Sequence, residues 1–400
     1  MKRIVFSGLT ATLLIFSFAC KQRPKGNALI TGQFTNCRND TIYLVDVSKS
    51  NFEVIDSVIT GDDGSFELHP LFLYKGFYNL TVGKGSSQFA TVILDAGDTI
   101  SITGDAKNLG YTWKTKGSGD CTRFEELNNF ISDIEKRKSP YMDRLDSIQQ
   151  TFQYEVGLLP KGDSLKVDSL DKVFGALYDS TQAKMKVLAA EGAAFVKSFI
   201  DKDPSSFANI PALRMIDPFD GIDYYDRALE GLEVKYKNTP NVHLLRQYVE
   251  QERPFCKGQT PPEIALEDPN GQVIKLSSLK GKVVLVDFWA SWCGPCRAEL
   301  PNVVANYKKY HDQGFEVFSV SLDSDKKAWT DAIAKEGLVW PYHVSDLKEW
   351  QSSVVPLYRI KGIPKTLLLD RDGKILDRDL RGDALSKRLA GIFTPAAPQK

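Results

Sequence analysis

Cys293 and Cys296 stand in the run Trp292-Cys293-Gly294-Pro295-Cys296, after the continuous apolar stretch Val283 to Trp289 and at the start of a segment, Cys293 to His311, that reads as a helix. A cysteine at the first turn of a helix faces unpaired backbone N–H groups and the positive end of the helix dipole, and both favour thiolate over thiol. Cys293 is therefore the expected nucleophile. The three-residue step to Cys296 keeps the second sulfur on the same face and within disulfide reach, deeper and more sheltered, so Cys296 is expected to resolve mixed disulfides. The implied chemistry is thiol–disulfide exchange. Zinc is the competing use of a C-x-x-C pair, but no second pair follows and His69, His243, His311 and His343 are scattered, so no metal site is expected. A purely structural disulfide gives no reason for this motif at a strand-to-helix junction.

The elements around the motif alternate. Val273 to Leu276 pairs across the turn Pro269-Asn270-Gly271, Val283 to Trp289 is a buried strand, Phe315 to Leu322 a strand and Lys326 to Glu336 a helix. Thr366 to Leu369 and Lys374 to Arg378 form a hairpin across Asp372-Gly373, and Ala384 to Phe393 closes as a helix. Such alternation implies a central sheet covered on both faces. The Pro- and Gly-rich stretch from Arg253-Pro254 to Pro261-Pro262 marks a boundary before this domain, which spans 253–395.

Upstream, the period changes twice. From Ala28 to Gly104 short alternating runs are punctuated by turn residues: Ala28 to Thr35, Thr41 to Val47, a hairpin turning at Asp63-Gly64, Phe77 to Val82, and Ala90 to Ile102. They predict an antiparallel, sandwich-like β domain over 27–118 with no cluster suited to chemistry. Over 119–252 the period is helical: Phe124, Leu127, Ile131 and Ile134 line one face, and further helices are expected at Ser164 to Ile200, Ser205 to Met215 and Asn241 to Gln251. Met185, Leu188 and Phe195 read as a core face rather than a binding stripe. Asp217, Asp220, Asp223 and Asp226 lack the ligand order of a calcium loop and read as a solvated loop. The fold class is thus multidomain: antiparallel β, then helical, then α/β.

The 400 residues carry 51 Lys plus Arg against 51 Asp plus Glu, so no global charge draws nucleic acid, and none is expected as a partner. Lys2 and Arg3 precede an uncharged, mostly apolar run, Ile4 to Ala19, that is short for a membrane span and reads as a secretory signal over 1–20. Ser17-Phe18-Ala19-Cys20 resembles a bacterial lipoprotein cleavage box, which makes Cys20 the expected lipidated N-terminus and the membrane a partner through that lipid. Lys21 in place of Asp points to the outer membrane, with the domains in the periplasm. Of the six cysteines, Cys37, Cys121 and Cys256 remain. Three thiols cannot all pair within one chain: either two form a bridge or all three are small buried residues.

The stretch Val283-Val284-Leu285-Val286-Asp287-Phe288-Trp289-Ala290-Ser291-Trp292-Cys293-Gly294-Pro295-Cys296-Arg297-Ala298-Glu299-Leu300-Pro301 resembles the thioredoxin superfamily, and within it the TlpA/ResA-type extracytoplasmic thiol-disulfide oxidoreductases. The resemblance runs from about Pro254 to Phe393 and includes Gly362-Ile363-Pro364-Lys365-Thr366. It implies a thioredoxin-like fold with Pro364 cis opposite the cysteines and the Ile363 backbone free to pair with a substrate strand. It further implies that Trp292, Gly294, Pro295, Ile363 and Pro364 shape the docking face, with Trp289 in the core. Asp287 and Glu299 match carboxylates near the cysteines in the family. A buried carboxylate has a raised pKa and can take the proton from Cys296 as that thiol attacks. A β domain followed by helices and this module is similar to a lipoprotein architecture of Gram-negative bacteria.

The expected function is reduction of client protein disulfides by the Cys293/Cys296 dithiol, with no cofactor beyond that redox-active pair. The Gly-Pro dipeptide resembles that of reducing thioredoxin, at about −270 mV, more than strongly oxidising DsbA, at about −120 mV. A reductase in an oxidising compartment implies a membrane electron donor. The alternatives are a disulfide isomerase or oxidase, a binding or docking lipoprotein with ancillary redox activity, and a peroxidase, whose Thr- and Pro-preceded cysteine is absent.

Overall fold

A computed structural model describes residues 27–48, 52–85, 87–160 and 163–393, so the signal segment and Cys20 lie outside the described residues. The chain divides into two compact units, Met1–Glu126 and Leu127–Lys400.

The first unit is β-rich, with strands β1 (Leu29–Thr35), β2 (Thr41–Asp46), β3 (Glu53–Ile59), β4 (Ser65–Leu68), β5 (Gly76–Val82), β6 (Phe89–Leu94) and β7 (Thr99–Asp105), a single helical turn α1 (Leu109–Thr112), and β8 (Lys114–Lys116). They form two four-stranded sheets, ordered β4-β1-β7-β8 and β3-β2-β5-β6. Alternation sets the faces: along β2, Ile42 and Leu44 are fully buried while Tyr43 and Val45 are partly exposed. Three expectations are corrected. The β1–β7 ladder is parallel, whereas antiparallel pairing was expected throughout. Asp63-Gly64 does not close a hairpin, because β3 pairs with β2 and β4 with β1, in the other sheet. Gly64 sits at φ 79° with Phe34 O 2.0 Å from where a Cβ would stand, so the turn serves the passage between sheets. The run Ala90 to Ile102 is two strands in different sheets, broken at Asp95-Ala96-Gly97-Asp98. Turn residues specify a chain reversal and not the partner strand.

Two helices of 39 residues each follow, α2 (Gly119–Gly157) and α3 (Ser164–Lys202). In the second unit Phe130 stacks on Phe195 at 3.7 Å between centroids, and Arg137 makes a two-pronged ion pair with Glu191. Of the Met185, Leu188 and Phe195 face, Leu188 is buried and Phe195 packs on Phe130, while Met185 is half-buried. The expected helix Ser205 to Met215 is reduced to one turn, α4 (Asn209–Ala212), and a 3-10 turn at Leu213–Met215. The Asp-rich stretch is not a loop but opens α5 (Pro218–Tyr236). Asp217 caps it by accepting from the Phe219 N–H at 2.9 Å, Pro218 starts the first turn, and Phe219, Tyr225, Ala228 and Leu232 form its buried face. Helix α6 (Pro240–Glu252) packs on α5.

The remainder is a hairpin, β9 (Ala265–Glu267) with β10 (Val273–Lys275), followed by β11 (Val283–Trp289), α7 (Gly294–Tyr310), β12 (Phe315–Ser321), α8 (Lys326–Glu336), β13 (Tyr342–Val344), a turn α9 (Val354–Leu357), β14 (Lys365–Leu369), β15 (Ile375–Arg378) and α10 (Gly382–Phe393). The five-stranded sheet has the order β13-β12-β11-β14-β15, with β11 parallel to β12 and antiparallel to β14. Every residue of β11 and β12 is buried, as expected for central strands covered on both faces. This is the expected thioredoxin-like domain, and β13 is the strand that periodicity did not find, being only three residues long.

The helices before it share its core. Phe219 of α5 belongs to the same buried cluster as Leu285, Phe288 and Ile375, and the Arg378 guanidinium lies 4.7 Å over its ring. Asp217 pairs with Arg378, Glu252 with Arg359, and the Lys257 N–H donates to Phe219 O at 3.0 Å.

Candidate active site

Strand β11 ends at Trp289, and Ala290 to Cys293 carry the chain to the start of α7, where Cys293 is the N-cap. Its sulfur receives the Cys296 backbone N–H at 3.2 Å, the capping bond that an N-cap side chain makes to the third helical residue. Pro295 sits in the first turn, where a missing N–H costs nothing. The two sulfurs are joined, with Cα atoms 5.3 Å apart; Cys296 is 2% exposed and Cys293 5%. The Ile363–Pro364 peptide is cis, and Ile363 O lies 3.8 Å from Cys293 Sγ. Trp292 is half exposed beside the thiols, and Trp289 is fully buried.

Asp287 and Glu299 occupy different settings. Asp287, in the middle of β11, is 4% exposed, and burial together with the negative charge of Glu299 pushes its carboxyl up to about 7, partly offset by Arg381. The Arg381 guanidinium also donates to Pro364 O, which ties the acid's surroundings to the cis peptide. Glu299 accepts from the Gly382 N–H at 2.8 Å and from Asn302 Nδ2 at 2.6 Å, so it holds the first N–H of α10 as well as standing near Asp287.

Two anchors were not found from sequence. Asp323, just past β12 and 1% exposed, accepts from the Ser291 N–H at 3.0 Å, the Ser291 hydroxyl at 2.6 Å and the Ser321 hydroxyl at 2.6 Å. It fixes the loop two residues before Cys293. Arg297, in the first turn of α7, is held by Glu336 at the end of α8 through two hydrogen bonds, at 2.8 and 2.5 Å. The usable signal for Asp323 was its place: an acid just past the C-terminal end of the strand expected at Phe315 to Leu322.

Cys37, Cys121 and Cys256 are separate buried thiols, so the bridge left open above is not formed. Burial pushes Cys121 and Cys256 up to about 11 and also raises Cys37. Among the described residues no group of three or more His, Cys, Asp or Glu could hold a metal ion. No described helix is long and apolar enough to cross a membrane.

Residues 256–388 match the Redoxin family. The thiol-disulfide oxidoreductase ResA of Oceanobacillus iheyensis is 31% identical over 147 residues, covering 74% of that protein and 36% of this chain. This chain belongs to the ResA-like thiol-disulfide oxidoreductases. ResA of Bacillus subtilis is 33% identical over 122 residues, which are 66% of its length and 30% of this ResA-like chain. The thioredoxin domain of a thiol-disulfide oxidoreductase from Bacteroides vulgatus is 34% identical, with TM-score 0.33, covering 35% of this chain and 99% of that one. A thiol-disulfide oxidoreductase from Bacteroides fragilis is 32% identical, with TM-score 0.32, covering 34% and 99%. Residues 29–124 match a family described as Domain of unknown function (DUF4369).

Proposed function

We propose that this ResA-like chain reduces the disulfides of client proteins in the periplasm, held at the membrane by lipid on Cys20. The observation that carries the reading is the Cys293 sulfur at the cap of α7, receiving the Cys296 N–H next to the cis Ile363–Pro364 peptide. In the dithiol form, the Cys293 thiolate attacks one sulfur of a client disulfide. That bond breaks, the far client sulfur leaves and takes a proton, and the near one is joined to Cys293. Asp287, with Glu299 beside it, takes the proton from Cys296, whose thiolate then attacks Cys293 Sγ and releases the second client thiol. Two electrons have passed to the client, and the Cys293–Cys296 disulfide remains. Trp292, Gly294 and Pro295 face the docked client while the Ile363 backbone pairs with its strand. Regeneration needs a membrane dithiol reductase that returns two electrons; the cysteine pair is the sole redox group the cycle requires.

Equilibration with glutathione tests the direction. A potential near that of thioredoxin is expected; one above about −150 mV makes the protein an oxidase or isomerase instead. Replacing Cys20 by Ala should release the protein from the membrane fraction. Residues 29–124 match a separate family and take no part in the redox cycle, which leaves room for a second reading, a docking lipoprotein with ancillary redox activity. It gains if Cys293→Ser leaves the phenotype intact while loss of the β domain abolishes it.

A further inference from the structure

We propose that Trp350 is a specificity-determining residue, forming with Trp292 an aromatic platform that selects clients carrying an aromatic side chain two or three residues from the attacked cysteine. The inference deepens the proposed function and rests on it. Trp350 and Trp292 are 45% and 50% exposed, and their ring centroids are 6.3 Å apart. Two large rings left half in water side by side, one of them adjacent in sequence to the attacking cysteine, are costly unless something covers them.

The backbone that presents Trp350 is built for it. Leu347 and Glu349 lie at φ 56° and 49°, a left-handed conformation that non-glycine residues avoid and that clusters at ligand-contacting segments. Trp350 sits in the 3-10 turn Glu349–Gln351. The Ser353 N–H donates to Asp346 Oδ2 at 3.0 Å, and the Ser324 hydroxyl to Glu349 at 2.6 Å. At the base of the loop the Ser345 hydroxyl donates to Ser321 O at 2.9 Å. Ser321 is the residue whose hydroxyl reaches Asp323, which in turn holds Ser291. Both tryptophans are therefore fixed to one point, the end of β12, through Ser291–Asp323–Ser321 on one side and Ser345–Ser321 on the other. A client strand extended from its cysteine advances about 3.3 Å per residue. The 6.3 Å between the two ring centroids equals about two residues of such a strand, so a client side chain two or three residues from the cysteine can lie against both rings.

The test uses two disulfide-linked peptides of equal charge, one with Phe and the other with Ser at the third residue from the cysteine. The readout is the ratio of the second-order rate constants at which each peptide oxidises the pre-reduced Cys293/Cys296 dithiol. The parent chain is expected to prefer the Phe peptide about tenfold, Trp350→Ala to bring the ratio close to one, and Trp350→Phe to keep most of it. A parent ratio of one, or a ratio unchanged in Trp350→Ala, overturns the platform and leaves the reductase reading standing. A parent chain that reduces neither peptide overturns the reductase reading and the platform with it.

Discussion

Asp287 and Thr366 are cross-strand partners, Asp287 in the middle of β11 and Thr366 on β14 two residues after the cis Pro364. Directly opposed residues share a face of the sheet, so the buried acid and the strand that follows the cis peptide are placed by one ladder. The next pair, Phe288 with Lys365, faces the other side, where the Tyr358 ring packs at a tilt against Phe288, centroids 5.0 Å apart, and the Tyr358 carbonyl accepts from Lys365 Nζ. The two faces of the sheet thus separate chemistry from support.

The raised pKa of Asp287 has consequences of known sign. As a base it acts only when ionised, so the step in which Cys296 resolves the mixed disulfide should accelerate as pH rises through about 7, and Asp287→Asn should remove that limb. Single-turnover release of reduced client, measured from pH 5 to 9, checks it. For stability the slope runs the other way. Between the ordinary value of 3.8 and about 7 the folded chain holds a proton that the unfolded chain has lost, so stability falls as pH rises across that window. Asp287→Asn should match the parent near pH 4 and exceed it at pH 8 by on the order of a few kcal/mol. Denaturant melts at both pH values decide.

Cys296→Ala should leave the first attack intact and the second impossible. Client proteins should accumulate in disulfide linkage to Cys293, visible as dithiothreitol-sensitive adducts, whereas Cys293→Ser should give none. Adducts on the Cys293→Ser chain would mean that another thiol is the nucleophile.

Asp323→Ala leaves the Ser291 N–H and the Ser321 hydroxyl without their acceptor. Orphaning buried donors costs about 1–3 kcal/mol each, so a stability loss of about 3 kcal/mol is expected. Reduction of a peptide disulfide should slow as well, because the loop carrying Trp292 and Cys293 loses its anchor. A melt and a rate indistinguishable from the parent would remove Asp323 from this role.

Cys37, Cys121 and Cys256 are buried with raised pKa values, so in the folded, reduced chain they should resist iodoacetamide while Cys293 reacts first. Mass spectrometry after a short pulse at pH 7 should find label on Cys293; label on any of those three in folded protein contradicts their burial.

The strand-to-helix junction at Cys293 was legible because its signals are local: a continuous apolar strand, then a thiol, Gly-Pro and a second thiol at helical spacing. The acid at Asp287 and the proline at Pro364 became legible only through resemblance, since neither residue alone announces its surroundings. The β domain was legible in its strands but not in its pairing. Nothing in Asp63-Gly64 says that β4 joins β1, and parallel β1–β7 pairing joins residues 70 apart. Helix α5 was missed because the eye follows four aspartates, when Asp217-Pro218 followed by Phe219, Tyr225, Ala228 and Leu232 carries the stronger helical signal. Asp323 and Trp350 act across the chain, and periodicity carries no information of that range.

Phe219 bears on where this protein can be cut. The family match begins at residue 256 and the Pro-rich stretch at 253, yet the ring that completes the C-terminal core comes from 34 positions before Arg253. A fragment starting at 253 would leave Arg378 without both the ring beneath it and Asp217, and Arg359 without Glu252. The catalytic module is thus physically longer than its evolutionary signature. A fragment opening at Asp217 should melt at a higher temperature than one opening at Arg253, and equal melting would return the border to the prolines.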